Sequence, residues 1–233
     1  KMGDINRTFF QQRGFGKEYQ VREGDRILSP GQECPRTHEQ LGHTLAMNTK
    51  AFVRDTAQYY LYDQVFDEVH RQGGLSGYAH INRDLFFVHR DMSLNIPRGK
   101  VDFGEILQFG NLGTDLYYEF LNLGYPLTAS AGSDLPWGGS IGEVRVYAYL
   151  GKKRFTADNW FAAFGRGNTF VTSGPMLELD IEGALPGDSI ELDRDRPVTV
   201  RARLLVNPDL GADRLELIGH GKVIKSVAGK GVG

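Results

Sequence analysis

The chain has 233 residues, of which 40% are hydrophobic and 24% charged, and its formal net charge is -2. This composition predicts a globular protein, and the lack of a basic block argues against nucleic acid as a partner. No apolar run approaches the roughly 20 residues of a membrane-spanning helix, so we expect no membrane partner. The single cysteine, Cys34, excludes an internal disulfide framework.

The first part of the chain alternates short apolar runs with helical stretches. Helical spacing of apolar residues predicts helices over 56–71 and 115–122, and a third over 157–165 with Thr156 as its N-cap. Strands are predicted at 26–30, 42–47, 75–80, 101–107 and 126–132. Strands that alternate with helices favour parallel pairing through helical crossovers, and therefore an α/β sheet or barrel.

The pattern changes at about residue 169. From there, runs with two-residue alternation follow one another, separated by turn residues and without an intervening helix. This predicts an antiparallel β-sandwich. We therefore divide the chain into an α/β domain, residues 1–168, and a C-terminal β-sandwich domain, residues 169–233, which we expect to be incomplete.

Four side chains with metal-binding chemistry stand at or beside the ends of predicted strands: Glu33, His43, His80 and Asp134. Functional sites in α/β folds gather at the carboxyl ends of parallel strands, so these residues are expected to converge. Imidazoles and carboxylates together bind Zn, Mn or Fe, and two carboxylates can serve one or two ions. Taken singly, each of these residues is more often part of a cap or a hydrogen-bonded turn, and it is their joint placement at successive strand ends that favours a metal site.

Five segments resemble, in their order, the carbaryl-hydrolase-like (CehA/McbA) branch of the PHP superfamily (polymerase and histidinol phosphatase). They are LSPGQECPRTHEQLGHTLAMN, GGLSGYAH, VDFGEIL, YPLTASAGSDLPW and GRGNTFVTSGPMLELDIEGALPGDSIEL. The resemblance covers about residues 27–192. It implies a distorted (β/α)7 barrel that binds two or three divalent metals at the strand ends. Most members hydrolyse phosphate esters, and this branch includes a carbamate ester hydrolase.

The resemblance also implies roles for individual residues. Glu33 matches the glutamate that bridges metals, His43 the histidine after it, His80 the histidine of the third motif and Asp134 the last aspartate. The family's His-x-His motif has no counterpart in the chain, and we expect it upstream of Lys1, which would make this chain a fragment. Pro136 stands where many members have a further histidine. A barrel without its first strands exposes edges that a further segment or an oligomer partner would cover.

Several neighbouring residues are candidates for substrate contacts. Arg36 and Arg83 are candidates to clamp a substrate oxygen, although pairing with a neighbouring acid is the commoner role of such residues. Trp137 is a candidate wall for an apolar group, and packing is its alternative role. Glu105 either orients a ligand imidazole or pairs with an arginine.

These observations predict a hydrolase that cleaves an ester, carbamate or related bond of a small molecule with metal-activated water. One or two Zn, Mn or Fe ions are its expected cofactors, and Asp134 is the expected proton acceptor. A metal-dependent phosphoesterase is one alternative, although no cluster of Lys and Arg accompanies the four ligands. A non-catalytic binding protein with a degenerate site is the other. The compartment stays open, since a secretion signal upstream would be typical of this branch.

Overall fold

The computed structural model describes residues 14–34, 42–53, 62–81, 91–135, 137–193, 195–209 and 211–229. Strands hold 34% of these residues and helices 18%, so the described part of the chain is rich in β-structure. It begins with a hairpin of β1 (Val21–Glu23) and β2 (Arg26–Leu28). None of the helices in these ranges has the length and apolar character that crossing a membrane requires.

A six-stranded mixed sheet forms the centre of the molecule. Its strands are β3 (Gly31–Cys34), β4 (Thr44–Met47), β5 (Leu75–Tyr78), β6 (Phe103–Gln108), β7 (Asn111–Leu112) and β8 (Thr128–Ala131). The pairs β3–β4, β4–β5 and β6–β7 are antiparallel, whereas β6 is parallel to both β5 and β8. The carboxyl ends of β5, β6 and β8 therefore lie at the same edge of the sheet.

Four α-helices belong to the described residues: α1 (Tyr62–Arg71), α2 (Met92–Asn95), α3 (Asp115–Asn122) and α4 (Ala157–Gly165). Helix α1 ends before Gly73, whose φ of 77° suits glycine, as its sequence pattern predicted. The predicted bounds of α3 and α4 are confirmed. The Thr156 side chain accepts a hydrogen bond of 3.1 Å from the Asn159 N–H, so its predicted role as N-cap is also confirmed.

The main core lies between α1 and the central sheet. Phe66 of α1 is fully buried, and its ring packs edge-on against Tyr78 of β5 at 5.4 Å between centroids. The burial of Tyr78 raises the pKa of its phenol far above the ordinary value. Gly77 beside it has a Phe103 ring where a side chain would be, with Cδ2 at 2.5 Å from an ideal Cβ. Strands β5 and β6 are therefore closely packed at this point.

The predicted (β/α)7 barrel is wrong. The described strands form an open mixed sheet and several small sheets, and no barrel closes among them. The reason lies in the first half of the sheet, where β4 is antiparallel to both β3 and β5. Antiparallel neighbours do not need the helical crossover that repeats around a barrel. Only β5, β6 and β8, with α2 and α3 between them in sequence, follow the predicted parallel pattern.

The C-terminal part of the chain consists of antiparallel strand pairs, and their packing into the expected sandwich stays a prediction. Strands β9 (Arg145–Ala148) and β10 (Thr169–Thr172) form one antiparallel pair. Strands β11 (Met176–Ile181) and β12 (Val200–Leu205) form a second pair, and β13 (Arg214–Gly219) and β14 (Lys222–Ala228) a third. Each pair is a separate two-stranded sheet within the described residues. Alternation along a strand predicts that it pairs, but it does not specify whether a second sheet covers it.

Candidate metal centre

Strand β3 positions the first acidic side chain of the site. Glu33 lies within this strand and is buried, with 6% of its surface exposed. The preceding residue, Gln32, anchors the strand because its side-chain amide makes two hydrogen bonds to the backbone of Val53, at 2.8 and 2.9 Å. A carboxylate on a fixed strand is held in place more firmly than one in a loop.

The two histidines lie on neighbouring antiparallel strands. His43 directly precedes β4, and His80 follows β5 by two residues. In the register of these strands Thr44 is opposite Tyr78, and the Ala79 N–H donates to the His43 carbonyl at 3.1 Å. The pairing of β4 with β5 therefore brings together two imidazoles that are 37 residues apart in sequence.

Glu33, His43 and His80 form a compact group of metal-binding side chains. One potential ligand atom from each residue lies within 4.8 Å of the other two. His43 Nδ1 is 2.6 Å from Glu33 Oε1 and 3.2 Å from His80 Nε2. Two ligands at about 2.1 Å from one ion, at tetrahedral or octahedral angles, lie roughly 3 to 3.4 Å apart. The separation of the two imidazole nitrogens fits this value, and the carboxylate contact is the shorter contact of an ion pair.

Glu105 of β6 supports the group from behind. Its Oε2 accepts a hydrogen bond of 2.8 Å from the backbone N–H of His80. His80 itself has a φ of 37°, a left-handed conformation in which few non-glycine residues occur. Glu105 therefore fixes the backbone of this histidine. From the sequence, its predicted role was to orient an imidazole or to pair with an arginine.

A cavity of about 260 Å³ adjoins the group at the strand ends. Glu33, Glu105 and Asp134 contribute its acidic wall. Asp134 follows β8 with a φ of 50° and stands outside the group that Glu33 forms with the two histidines. Apolar side chains of Leu45, Met47, Phe103 and Leu135 contribute to the remaining wall. The structure thus brings three of the four predicted ligands together and places the fourth on the same cavity.

The other predicted site residues lie elsewhere. Trp137 is 63% exposed and is not among the residues that line the cavity. Arg36 and Arg83 lie outside the described residues, as does Pro136. The substrate contacts assigned to the two arginines therefore stay predictions.

Sequence reasoning missed several buried polar residues of the cavity wall, among them Gln108. Gln108, at the end of β6, is 3% exposed and lines the cavity together with Phe103 and Glu105 of the same strand. Two-residue alternation would turn residue 108 away from residues 103 and 105. The sequence contains no signal that residue 108 departs from this alternation.

No protein-family model matches the chain, and a comparison with curated proteins finds no significant match. The family resemblance of the sequence therefore stays a prediction, and the fold and site geometry carry the functional argument.

Proposed function

We propose that this protein is a divalent-metal-dependent hydrolase of small molecules. The observation that supports this function is the group of Glu33, His43 and His80 at the edge of a cavity. A metal ion there would face a space in which a small substrate fits. The proposal also includes Asp134 as the proton acceptor, since its side chain belongs to the same cavity wall.

The donor set suits Zn, Mn or Fe. Two imidazole nitrogens and one carboxylate oxygen are borderline and hard donors of the kind these ions prefer. The negative charge of Glu33 partly compensates the charge of a dication, which a buried site of neutral donors would not do. When bound, the ion would lower the pKa of a coordinated water towards neutrality and so supply a hydroxide nucleophile.

The protein's own residues have three tasks in this reaction. Glu105 holds the backbone of His80 through the N–H bond, which keeps the imidazole oriented towards His43. Asp134 receives the proton that the attacking water releases. The apolar part of the wall excludes bulk water and holds the carbon skeleton of the substrate.

The charges of the cavity favour an ester, carbamate or related neutral substrate over a phosphate ester. Every charged residue among the described lining is acidic, and no Lys or Arg of the described residues contributes to the wall. A phosphate group is usually held by Arg or Lys side chains or by several metal ions. A metal-dependent phosphoesterase is therefore the second candidate. In that case Arg36 and Arg83 would have to supply the contacts to the phosphate anion.

Metal content of the purified protein tests the proposal directly. We expect about one or two equivalents of Zn, Mn or Fe by elemental analysis after incubation with each metal and gel filtration. His80→Ala should lose most of this metal. His70→Ala is the matched control because His70 bonds to Asp102 at 2.9 Å and does not belong to the group.

Hydrolysis is then measured with aryl esters, carbamates and phosphate monoesters. Asp134→Asn should retain the metal and lose turnover. Absence of bound metal in the wild-type protein, or equal metal content in the two histidine variants, would contradict the proposal. Turnover confined to the phosphate esters would favour the second candidate.

A further inference from the structure

We propose that Gln108 recognises a hydroxyl group of the substrate, which can both donate to and accept from the side-chain amide. This inference rests on the proposed function for the identity of the cavity as a substrate site. It goes further because it names a specificity residue that neither the metal group nor the sequence analysis includes. Three observations carry it: an irregular strand, a buried amide oxygen without a partner, and the charge of the wall.

A bulge in β6 turns Gln108 towards the cavity. Opposite β8, Glu105 pairs with Ser130 and Leu107 with Ala131, so Ile106 is an extra residue on β6. The extra residue shifts the alternation of the strand by one position. Ile106 accordingly belongs to the hydrophobic core, and Gln108 joins Phe103 and Glu105 on the cavity side. Bulges that redirect one side chain are frequent beside active sites.

The side chain of Gln108 lacks an internal partner for its oxygen. Only 3% of its surface is exposed, and its Oε1 makes no hydrogen bond to any residue that the structure describes. A buried amide oxygen without a partner is unfavourable, and such groups are rare in folded proteins. The terminal amide torsion of glutamine has two broad minima, so either its oxygen or its nitrogen can face the cavity. A ligand hydroxyl would satisfy the group.

The wall decides which ligand groups fit beside this amide. Its charged residues within the described chain are the carboxylates Glu33, Glu105 and Asp134, which disfavour an anionic ligand group. A volume of about 260 Å³ is below the usual range for drug-sized ligands, so the substrate is small. Phe103 and Leu45 offer apolar contacts to its remaining part. The fitting substrate is therefore a small, uncharged molecule with a hydroxyl group.

Binding of an isosteric pair tests the inference without any need for catalysis. Glycolamide and propionamide differ only by a hydroxyl in place of a methyl group, and saturation-transfer NMR compares their affinities. Wild-type protein should prefer glycolamide by roughly tenfold, the range expected for one hydrogen bond to a buried group. Gln108→Leu, which keeps the approximate size of the side chain, should abolish the preference.

A matched control separates this effect from a general loss of packing. Thr49 is also buried, and among the described residues its side-chain oxygen has no hydrogen-bond partner. Unlike Gln108, it does not line the cavity. Thr49→Val should therefore retain the preference for glycolamide. Circular dichroism and thermal unfolding confirm that both variants are folded. If Gln108→Leu does not fold, Gln108→Met replaces it.

Hydrolysis provides the second readout. The p-nitrophenyl esters of glycolic and propionic acid form the same isosteric pair. The kcat/KM for each ester is divided by its rate of spontaneous hydrolysis. The ratio of the glycolate value to the propionate value should fall roughly tenfold in Gln108→Leu. His80→Ala should lose turnover but keep the binding preference, so failure of the hydrolase proposal and failure of this inference are distinguishable. Equal affinities of the wild-type protein for both amides, binding of neither amide, or a preference that survives Gln108→Leu would overturn the inference.

Discussion

Replacement of Gly132 by alanine should damage the metal centre through a residue that is not a ligand. Gly132 follows β8 and its N–H donates to the Leu107 carbonyl at 3.2 Å. An ideal Cβ at this position would overlap the Oε1 atom of Glu105 and lie 3.1 Å from its Cδ. The carboxylate of Glu105 must therefore move, and it is the group that accepts the hydrogen bond from the His80 N–H.

The magnitude follows from the bond that this movement breaks. A hydrogen bond to a charged group contributes about 1.5–3 kcal/mol to stability, and a buried N–H left without an acceptor costs about 1–3 kcal/mol. We expect Gly132→Ala to lower the free energy of unfolding of the metal-free protein by about 2 kcal/mol. With a typical urea dependence of about 2 kcal/mol per M, the unfolding midpoint would fall by about 1 M. Disturbing a group that orients a ligand should also weaken metal binding by roughly 10–100-fold.

Urea unfolding and metal titration measure these two effects. Gly174→Ala is the matched control, because Gly174 is exposed, has no atoms within 4 Å of an ideal Cβ and lacks a positive φ. A double-mutant cycle adds specificity. In a Glu105→Ala background the overlapping carboxylate is absent, so Gly132→Ala should then have almost no effect, and the two substitutions should be strongly non-additive. Additive effects, or a Gly132→Ala protein as stable as Gly174→Ala, would refute the reasoning.

Two further predictions concern packing and pH. Phe66→Ala removes a fully buried ring that packs against Tyr78, so it should lower the free energy of unfolding by about 3–5 kcal/mol in urea titrations. Phe66→Leu leaves a smaller cavity and should lower it by less than half as much. Equal losses in the two variants would show that the cavity does not cause the destabilisation. The hydrogen bond from His70 to the Asp102 carboxylate raises the pKa of this histidine. As pH rises, the folded state therefore keeps the His70 proton to a higher pH than the unfolded state does. The resulting stabilisation is complete below the unfolded pKa of about 6.5, and it is lost as pH rises through the raised pKa of the folded state. The melting temperature of the wild-type protein should exceed that of His70→Gln most at pH 6 and least at pH 9, and a difference that does not change with pH would contradict this.

The helices could be predicted because their signals are local. Residues three and four apart decide which face of α1 is buried, and the glycines after it end the helix. The N-cap of α4 depends on residues 156 and 159 alone. Pairing between strands depends on residues far apart in sequence, and two-residue alternation does not distinguish a parallel from an antiparallel neighbour. For this reason the strands of the central sheet were predicted largely in place, while the predicted barrel was wrong.

The strand predictions failed in a further place for a related reason. Residues 189–193 alternate like a strand but form none in the structure. They lie between β11 and β12, which pair with each other over all six of their residues from Met176↔Leu205 to Ile181↔Val200. A run with strand character forms a strand only when a partner edge accepts its hydrogen bonds. The sequence of the run does not contain that information.

The group of Glu33, His43 and His80 could be predicted because histidine is scarce, with 6 in the chain, and each of the three residues stands at or beside a strand end. Gln108 was not, because its orientation depends on the bulge at Ile106, which exists only in the pairing of β6 with β8. Glutamine is also common on surfaces, so its identity did not indicate burial. The burial of Gln108 follows from the backbone irregularity and not from its side chain.

Backbone conformation links these features of the site. His80 and Asp134 both have a positive φ, at 37° and 50°, and such conformations cost of order 1 kcal/mol or more in residues other than glycine. Each is held by hydrogen bonds from its surroundings: the His80 N–H donates to Glu105, and the Asp134 carbonyl accepts from the N–H groups of Trp137 and Gly138 at 2.7 and 2.9 Å. Both turns occur directly after parallel strands, where the chain must leave the sheet. The turns place Asp134 on the cavity wall and His80 beside Glu33 and His43, so their strain is a consequence of the geometry that the proposed reaction needs.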